Sequence, residues 1–587
     1  MPSFDLVIRN GLVFDGSGAP GVRCDVGVKD GNIAALSVEP LAAAGARTVD
    51  ATGKWVLPGF IDVHTHYDAE VFAGTGLGES VRHGVTTVLY GNCSMSAVYV
   101  EPDDAADLFA RVEALPWDAV HGLLKEHKDW TGPKSYRRAV ERLPLGCNVA
   151  TMIGHSDIRA AVLGLGRATD PEYRPTKAEL DRMRAMVAEA LDAGFAGLST
   201  DRLRFSKLAG TRFAGAQLPS TYATWKEYEL LYDVVRERGG VVQSNLDVSN
   251  RLETIQHFLH SAGGLLGRVR GRKPLKTSLL AALDLKSDRN VIRLLKLVTG
   301  LVNPLLGSDV SFQLLTAPFH LYSDGVDLVI FEEFASGTAA LDIRDQVRRG
   351  AMMQSEEYRR AFRKDMAKKF GVNAWNRDFY DTEIVSCPEE AAVGKSFGQI
   401  ADERGLQPVD VFLDLVSLYP GEVRWHTTVA NDRPDVLGEA MAHKWFQFGN
   451  NDSGAHLRNF SFYNAPLRAL KLVNDAHKAK KPFMSLETAV RRLTGELGEW
   501  YGLDAGRLRP GDRADIAVVD PAGLDDSLAE YHEELAPAFG VSRQVNRNDN
   551  AVAATVVGGR LVYSYGVFAS GFGESLHAGQ FLPGAAG

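Results

Sequence analysis

The sequence predicts an α/β protein: a (β/α)8 (TIM) barrel joined to a small β-sandwich domain built from both chain termini. Three observations carry that reading. Near-continuous apolar, β-rich runs recur eight times, at "WVLPGFIDVHTH", "VTTVLYGNC", "CNVATMIGHS", "FAGLSTD", "GVVQSNLD", "LKTSLLAALD", "VSFQLLTAP" and "WFQFGNND". Amphipathic helical patterns such as "KAELDRMRAMVAEALDAG" and "WKEYELLYDVVRERGG" separate several of them, and doubly buried strands alternating with helices imply a parallel sheet. Short strand–turn–strand patterns occupy both chain ends, so one β-domain assembled from the two ends is expected.

In chain order, residues 1–57 supply the N-terminal part of the β-sandwich, with hairpin signals at Asn10-Gly11 and Asp30-Gly31. Residues 58–500 supply the barrel. The sixth run, "LKTSLLAALDL", would also serve as a helix. Helical insertions are expected near 101–146 and 320–440, and long inserts at a barrel's loop face commonly build the substrate pocket. "ETAVRRLTGELG" around 487–498 is expected to close the barrel. Residues 501–587 complete the β-sandwich, with a turn at Gly558-Gly559, and add a tail.

Bulk properties exclude several function classes. At 587 residues the chain exceeds one ordinary core. A formal charge of −9 leaves no polybasic footprint for nucleic acid or anionic membrane. No apolar run approaches the roughly 18–20 residues of a spanning helix, and the start lacks a signal peptide's pattern. Four scattered cysteines do not make a disulfide framework, so a reducing, cytoplasmic compartment is expected.

The chemistry gathers at strand ends. His64 and His66 lie two apart at the end of the first run, so both imidazoles point to one side and can grip one divalent metal. An isolated pair of this kind is equally a polar strand end. The other runs shift that balance, because they too end in capable groups: Cys93, His155, Asp201, Asn245 with Asp247, and Asp452. Beside two histidines, a thiolate from Cys93 becomes a plausible metal ligand. For Asp201 and Asp247 the helix-capping reading is preferred; for Asp452, function is.

These residues look familiar together. "GKWVLPGFIDVHTH" with "GRLRPGDRADIAVVD" resembles the metal-dependent amidohydrolase superfamily. "HTHYDAEV", "HGVTTVLYGNCSMS", "GHSDIR" and "GLSTD" resemble, more narrowly, the N-acyl-D-amino-acid deacylases (D-aminoacylases). The resemblance implies that His64 and His66 are strand-one metal ligands. It makes Cys93 a thiolate ligand, and Asp452 both a ligand and the base that takes a proton from the attacking water. It also exposes a departure. D-aminoacylases carry a histidine at the ends of strands five and six, whereas this chain has Asn245 at the first position and none at the second.

One zinc ion is therefore expected, with a second allowed, since His320 or His426 could swing in from an insert. The substrate is a small-molecule amide, most simply an N-acyl-(D-)amino acid. The alternatives are a cyclic amide or other C–N substrate, or a metal-depleted, non-catalytic relative. His155 is expected near the oxyanion. Asn245, His456 and Arg458 are expected to bind substrate, with Arg159, Arg202 and Arg204 as further candidates for its carboxylate. Nothing in the sequence decides the oligomeric state.

Overall fold

The computed structural model describes residues 4–246, 251–261, 272–368 and 373–584. All eight apolar runs form strands, and every ladder among them is parallel. Phe60–Asp62, Val85–Tyr90 and Asn148–Thr151 pair in that order. Ile153–Gly154, Gly197–Asp201, Val241–Asn245, Lys276–Ala282, Asp309–Leu314 and Phe446–Phe448 follow in a second group. The third run breaks at Met152, so its halves serve the two groups. A parallel bridge from Thr65 to Ser453 ties the first run to the residues after the eighth. The sixth run is a strand despite its helical pattern, because Thr277, Ser278 and Leu279 are buried between neighbours on both edges.

The helices between these inner strands follow their sequence patterns. Lys177–Asp192 buries Met183, Met186, Val187, Ala190 and Leu191, one stripe at helical spacing. A capping box starts it: Thr176 Oγ1 accepts from Glu179 N, and Glu179 Oε2 accepts from Thr176 N. Trp225–Arg238 is capped by Thr224 and stops where Gly239 turns left-handed at φ 73°.

Both chain ends meet in one nine-stranded sheet, in which Ile516–Val519 pairs with Trp55–Pro58. Its strands alternate between two cores. Val56, Ile516 and Val518 pack into a cluster internal to the sheet, while Trp55, Leu57, Ala517 and Val519 join the main core. Asp30-Gly31 and Gly558-Gly559 make the expected hairpin turns. Asn10-Gly11 does not. Leu6–Val13 runs straight through it as a bulge, with Asn10 at φ 62°. A Cβ on Gly11 would lie 2.4 Å from Val56 Cγ2, so the glycine serves close strand approach instead of a turn.

The first insertion is helical, with Pro102–Phe109, Trp117–His127 and Pro133–Glu141. The second corrects the sequence reading. It contains three antiparallel strands, Phe319–Asp324, Thr382–Ser386 and Arg424–Ala430, and a core of its own around Phe331, Phe412 and Trp425. Helices flank that sheet, and their stronger periodicity hides the short alternating strands. The tail also reaches past the terminal sheet: Val149 N donates to Gln580 O, and Leu582 N to Val149 O. Among the described residues, no helix is long and apolar enough to cross a membrane.

Candidate metal centre

The carboxyl ends of inner strands one, two and eight place the first candidates. After strand one, Thr65 N donates to Leu89 O and His66 N to Ser453 O, at 3.1 and 2.8 Å. That pairing continues the strand's alternation, so His64 and His66 project together, with ring centroids 5.3 Å apart. After strand two the chain turns at Gly91 (φ 77°), where a Cβ would meet Met152 O at 2.3 Å. Cys93 follows at φ 52°, and Asp452 sits at φ 49° after strand eight. Left-handed backbone at non-glycine residues costs energy and gathers where a site needs side chains aimed against local preference.

The donor atoms converge. His64 Nε2 lies 3.2 Å from Cys93 Sγ and 3.2 Å from Asp452 Oδ1. Asp452 Oδ1 is also 3.6 Å from His66 Nε2. One ligand atom each from His64, His66 and Cys93 fit within 4.8 Å of one another. Bonds of about 2.0–2.3 Å to a shared ion set donor separations of roughly 3.3–3.7 Å, so these residues fit a zinc-type cation. His64 Nδ1 donates to Gln313 Oε1 at 2.6 Å, which leaves Nε2 with a free lone pair.

Electrostatics suit His64 and Asp452 to ligand duty but not His66. Burial opposes its charge, yet the Glu113 carboxylate and its hydrogen bonds with Asp452 and Cys93 hold the imidazole well above its ordinary range, so a cation bound there must displace a proton. Burial holds His64 neutral, with its pKa pulled down to about 4. Burial opposes ionisation of Asp452, but His64 and His66 outweigh it and bring the carboxyl to about 2. Burial pushes the Cys93 thiol up to about 12, so a bound cation must displace its proton. The Asp452 side chain is 16% exposed while those of His64 and His66 are sealed, which makes it the cluster's open edge.

The remaining candidates stand elsewhere. His155 Nε2 pairs with Glu227 Oε1 at 2.8 Å, and Arg159 takes the other oxygen, so this buried triad braces a helix instead of facing an oxyanion. Asn245 is also engaged. Its amide nitrogen donates to Asp201 Oδ2 at 2.7 Å, and its oxygen accepts from Gln243 Nε2 at 2.8 Å. Arg458 pairs with Asp324, Glu533 and Ser542, pinning the second insertion to the hairpin His532–Ala536/Val541–Val545. It is a brace and not a carboxylate receptor. Arg202 lies over Trp225 and Tyr228. His320 and His426 belong to the insertion's sheet, where His320 Nδ1 bonds Thr428 Oγ1. Asp247 lies outside the described residues. Of these, His456 comes close to the cluster, its ring tilted against Phe460 and its Nε2 3.6 Å from Glu113 Oε2.

Three residues escaped the sequence reading. Gln243 Oε1 accepts from Cys93 N at 2.9 Å and so holds the thiol's backbone. Gln243 and Gln313 were readable as polar residues in the inward register of apolar strands. Glu113, whose Oε2 is 3.5 Å from His66 Nε2, carried no such signal, because "DLFARVEALPWDAV" reads as an ordinary amphipathic stretch.

Comparison with known proteins follows the same lines. Residues 47–227 match the model of an amidohydrolase family. An uncharacterised protein of Mycobacterium tuberculosis is 50% identical over 99% of this chain and 96% of its own length. N-acyl-D-aspartate deacylase of Alcaligenes xylosoxydans xylosoxydans is 26% identical over 89% of this chain and 87% of its own. The crystal structure of Bordetella bronchiseptica N-acyl-D-glutamate deacylase, complexed with zinc and a phosphonate inhibitor, matches the fold with a TM-score of 0.60. Its sequence is 23% identical, with 99% of this chain and 100% of that one covered. The chain belongs to the amidohydrolase family of hydrolases acting on carbon–nitrogen bonds and is D-aminoacylase-like.

Proposed function

We propose that this protein deacylates an N-acyl-amino acid, of D configuration by analogy with its relatives, using water activated at one zinc ion. The ion's seat is His64, His66, Cys93 and Asp452. The observation that carries the reading is the convergence of two imidazole nitrogens, a thiol and a carboxylate at 3.2–3.6 Å separations. Cysteine among the donors favours zinc over manganese or magnesium. In this reading the eight inner strands close into a (β/α)8 barrel through the Thr65–Ser453 bridge. The nine-stranded sheet is its terminal β-domain, with the barrel spanning 58–500. Four free, buried cysteines suit a reducing cytoplasm.

When bound, a divalent ion supplies Lewis acidity, lowering the pKa of a water and polarising a carbonyl. Asp452 then acts as general base through its exposed edge and returns the proton to the leaving nitrogen. Gln313 fixes the His64 tautomer, and Gln243 fixes the Cys93 backbone. One ion is favoured because Asn245 and Gln243 bind each other where strand five would offer a second seat.

Metal analysis and a substrate panel test the proposal. One equivalent of zinc with turnover of N-acyl-D-amino acids is expected. Metal-loaded protein inert on both the D and the L series would send the search to another C–N bond; protein that takes up no metal overturns the hydrolytic reading.

A further inference from the structure

We infer that Arg543, in the hairpin His532–Ala536/Val541–Val545, is a positioning residue for the metal seat. Joined to Glu70 and lying over Tyr463, it sets the spacing between the strand-one loop that carries His66 and the strand-eight loop that carries Asp452. The inference rests on the seat proposed above and adds a residue from outside the inner strands and both insertions.

The two loops meet at one tight contact. Gly454, two residues after Asp452, turns left-handed at φ 92°, and a Cβ there would lie 2.7 Å from Tyr67 Cδ1 and 3.0 Å from His66 O. Only glycine lets the backbones approach so closely. Gly454 N donates to the Tyr463 hydroxyl at 3.4 Å. Arg543 closes the contact from the far side. Its Nη2 donates to Glu70 Oε2 at 2.5 Å, and its guanidinium carbon lies 5.6 Å from the centre of the Tyr463 ring. The next residue continues the clamp, since Gln544 N donates to Leu457 O at 2.7 Å. One short strand therefore holds Glu70, four residues after His66, and Leu457, five after Asp452.

Stability alone does not account for the ion pair. The side chains of Arg543 and Glu70 are 8% and 3% exposed. A pair so deeply buried recovers little of its desolvation cost, and apolar side chains of similar volume commonly fill such a place as well. What the charges add is geometry. A planar guanidinium bound to a carboxylate and set over a ring is a directional contact. The arrangement it fixes leaves His66 Nε2 3.6 Å from Asp452 Oδ1, a separation that two donors to one cation can share.

The test uses full-length protein and Co²⁺, with Glu70→Gln and Arg543→Met combined in one variant so that no buried charge is left unpaired. Its metal-free unfolding midpoint should stay near wild type's. Chelator competition should nevertheless show Co²⁺ affinity lower by about 10–100-fold, the loss typical of residues that orient ligands. The visible d–d bands should change with it, because an altered His66–Asp452 spacing alters the coordination geometry. Wild-type affinity and spectrum in the double variant, whatever its midpoint, make Arg543 a plain structural brace and overturn the inference while leaving the hydrolase reading intact. Arg543→Lys keeps the charge without the planar fork and serves if the double variant fails to fold. Its gain in Tm on adding Co²⁺ should be smaller than wild type's, and an equal gain overturns the inference. Wild-type protein that binds no Co²⁺ overturns both the seat and the role of Arg543.

Discussion

The carboxyl ends of the inner strands divide into two sides that handle polar groups in opposite ways. On the side of strands one, two and eight, imidazole, thiol and carboxylate donor atoms face one another at 3.2–3.6 Å. On the side of strands four and five, Asp201, Asn245 and Gln243 satisfy each other at 2.7–2.8 Å. The first side gathers donors of the types that bind a cation, and the second closes on itself. Each amide there already spends a donor and an acceptor on its neighbours, and an amide oxygen binds zinc poorly compared with imidazole. Where the histidine of D-aminoacylases is missing, the protein has filled the position with internal hydrogen bonding and kept the remaining seat stiff through Gln243 and the Cys93 backbone.

Four predictions press on this contrast. The largest effect belongs to Asp452→Asn, which keeps the shape and removes the base. Its kcat should fall about 10²–10⁴-fold with metal still bound, as steady-state assays with metal analysis would read; near-normal turnover would remove Asp452 as the base. Next, zinc affinity should rise with pH. The Cys93 thiol, held up to about 12 by burial, gives up a proton on binding, so affinity gains about tenfold per unit between pH 6.5 and 8.5. A flat profile by competition titration would leave Cys93 outside the ligand set.

A smaller effect is expected on the satisfied side. Asn245→Ala frees Gln243 and loosens the Cys93 backbone, so metal affinity should drop about tenfold with KM unchanged. A selective rise in KM would instead restore Asn245 to the substrate. Smallest of all, Arg458→Gln should leave kcat and KM alone and cost no more than about 1 kcal/mol in denaturant unfolding, as half-exposed ion pairs do. A large KM increase would make Arg458 the carboxylate receptor after all.

Most of the fold was legible in the chain. Apolar runs, helical stripes and the Asp30-Gly31 turn are local patterns, and local physics decides them. Asn10-Gly11 misled because its left-handed residue serves a bulge as well as a hairpin, and only the approach of Val56 separates the two. The antiparallel sheet in the second insertion was hidden by the helices around it. The gathering of His64, His66, Cys93 and Asp452 was readable from residue type at strand ends. His155, Asn245 and Arg458 had the same signals and proved engaged elsewhere.

By itself the sequence determined which strands exist, which ends carry imidazole, thiol and carboxylate, and that strands five and six carry no histidine. Those properties depend on composition and spacing over a few residues. Only the tertiary structure decided which polar groups are free and which are spent. Glu113 reaches His66 across 47 positions of sequence, and Glu227 claims His155 across 72. Whether a buried polar atom is available depends on partners that distant parts of the chain bring within bonding range, and no local pattern encodes that.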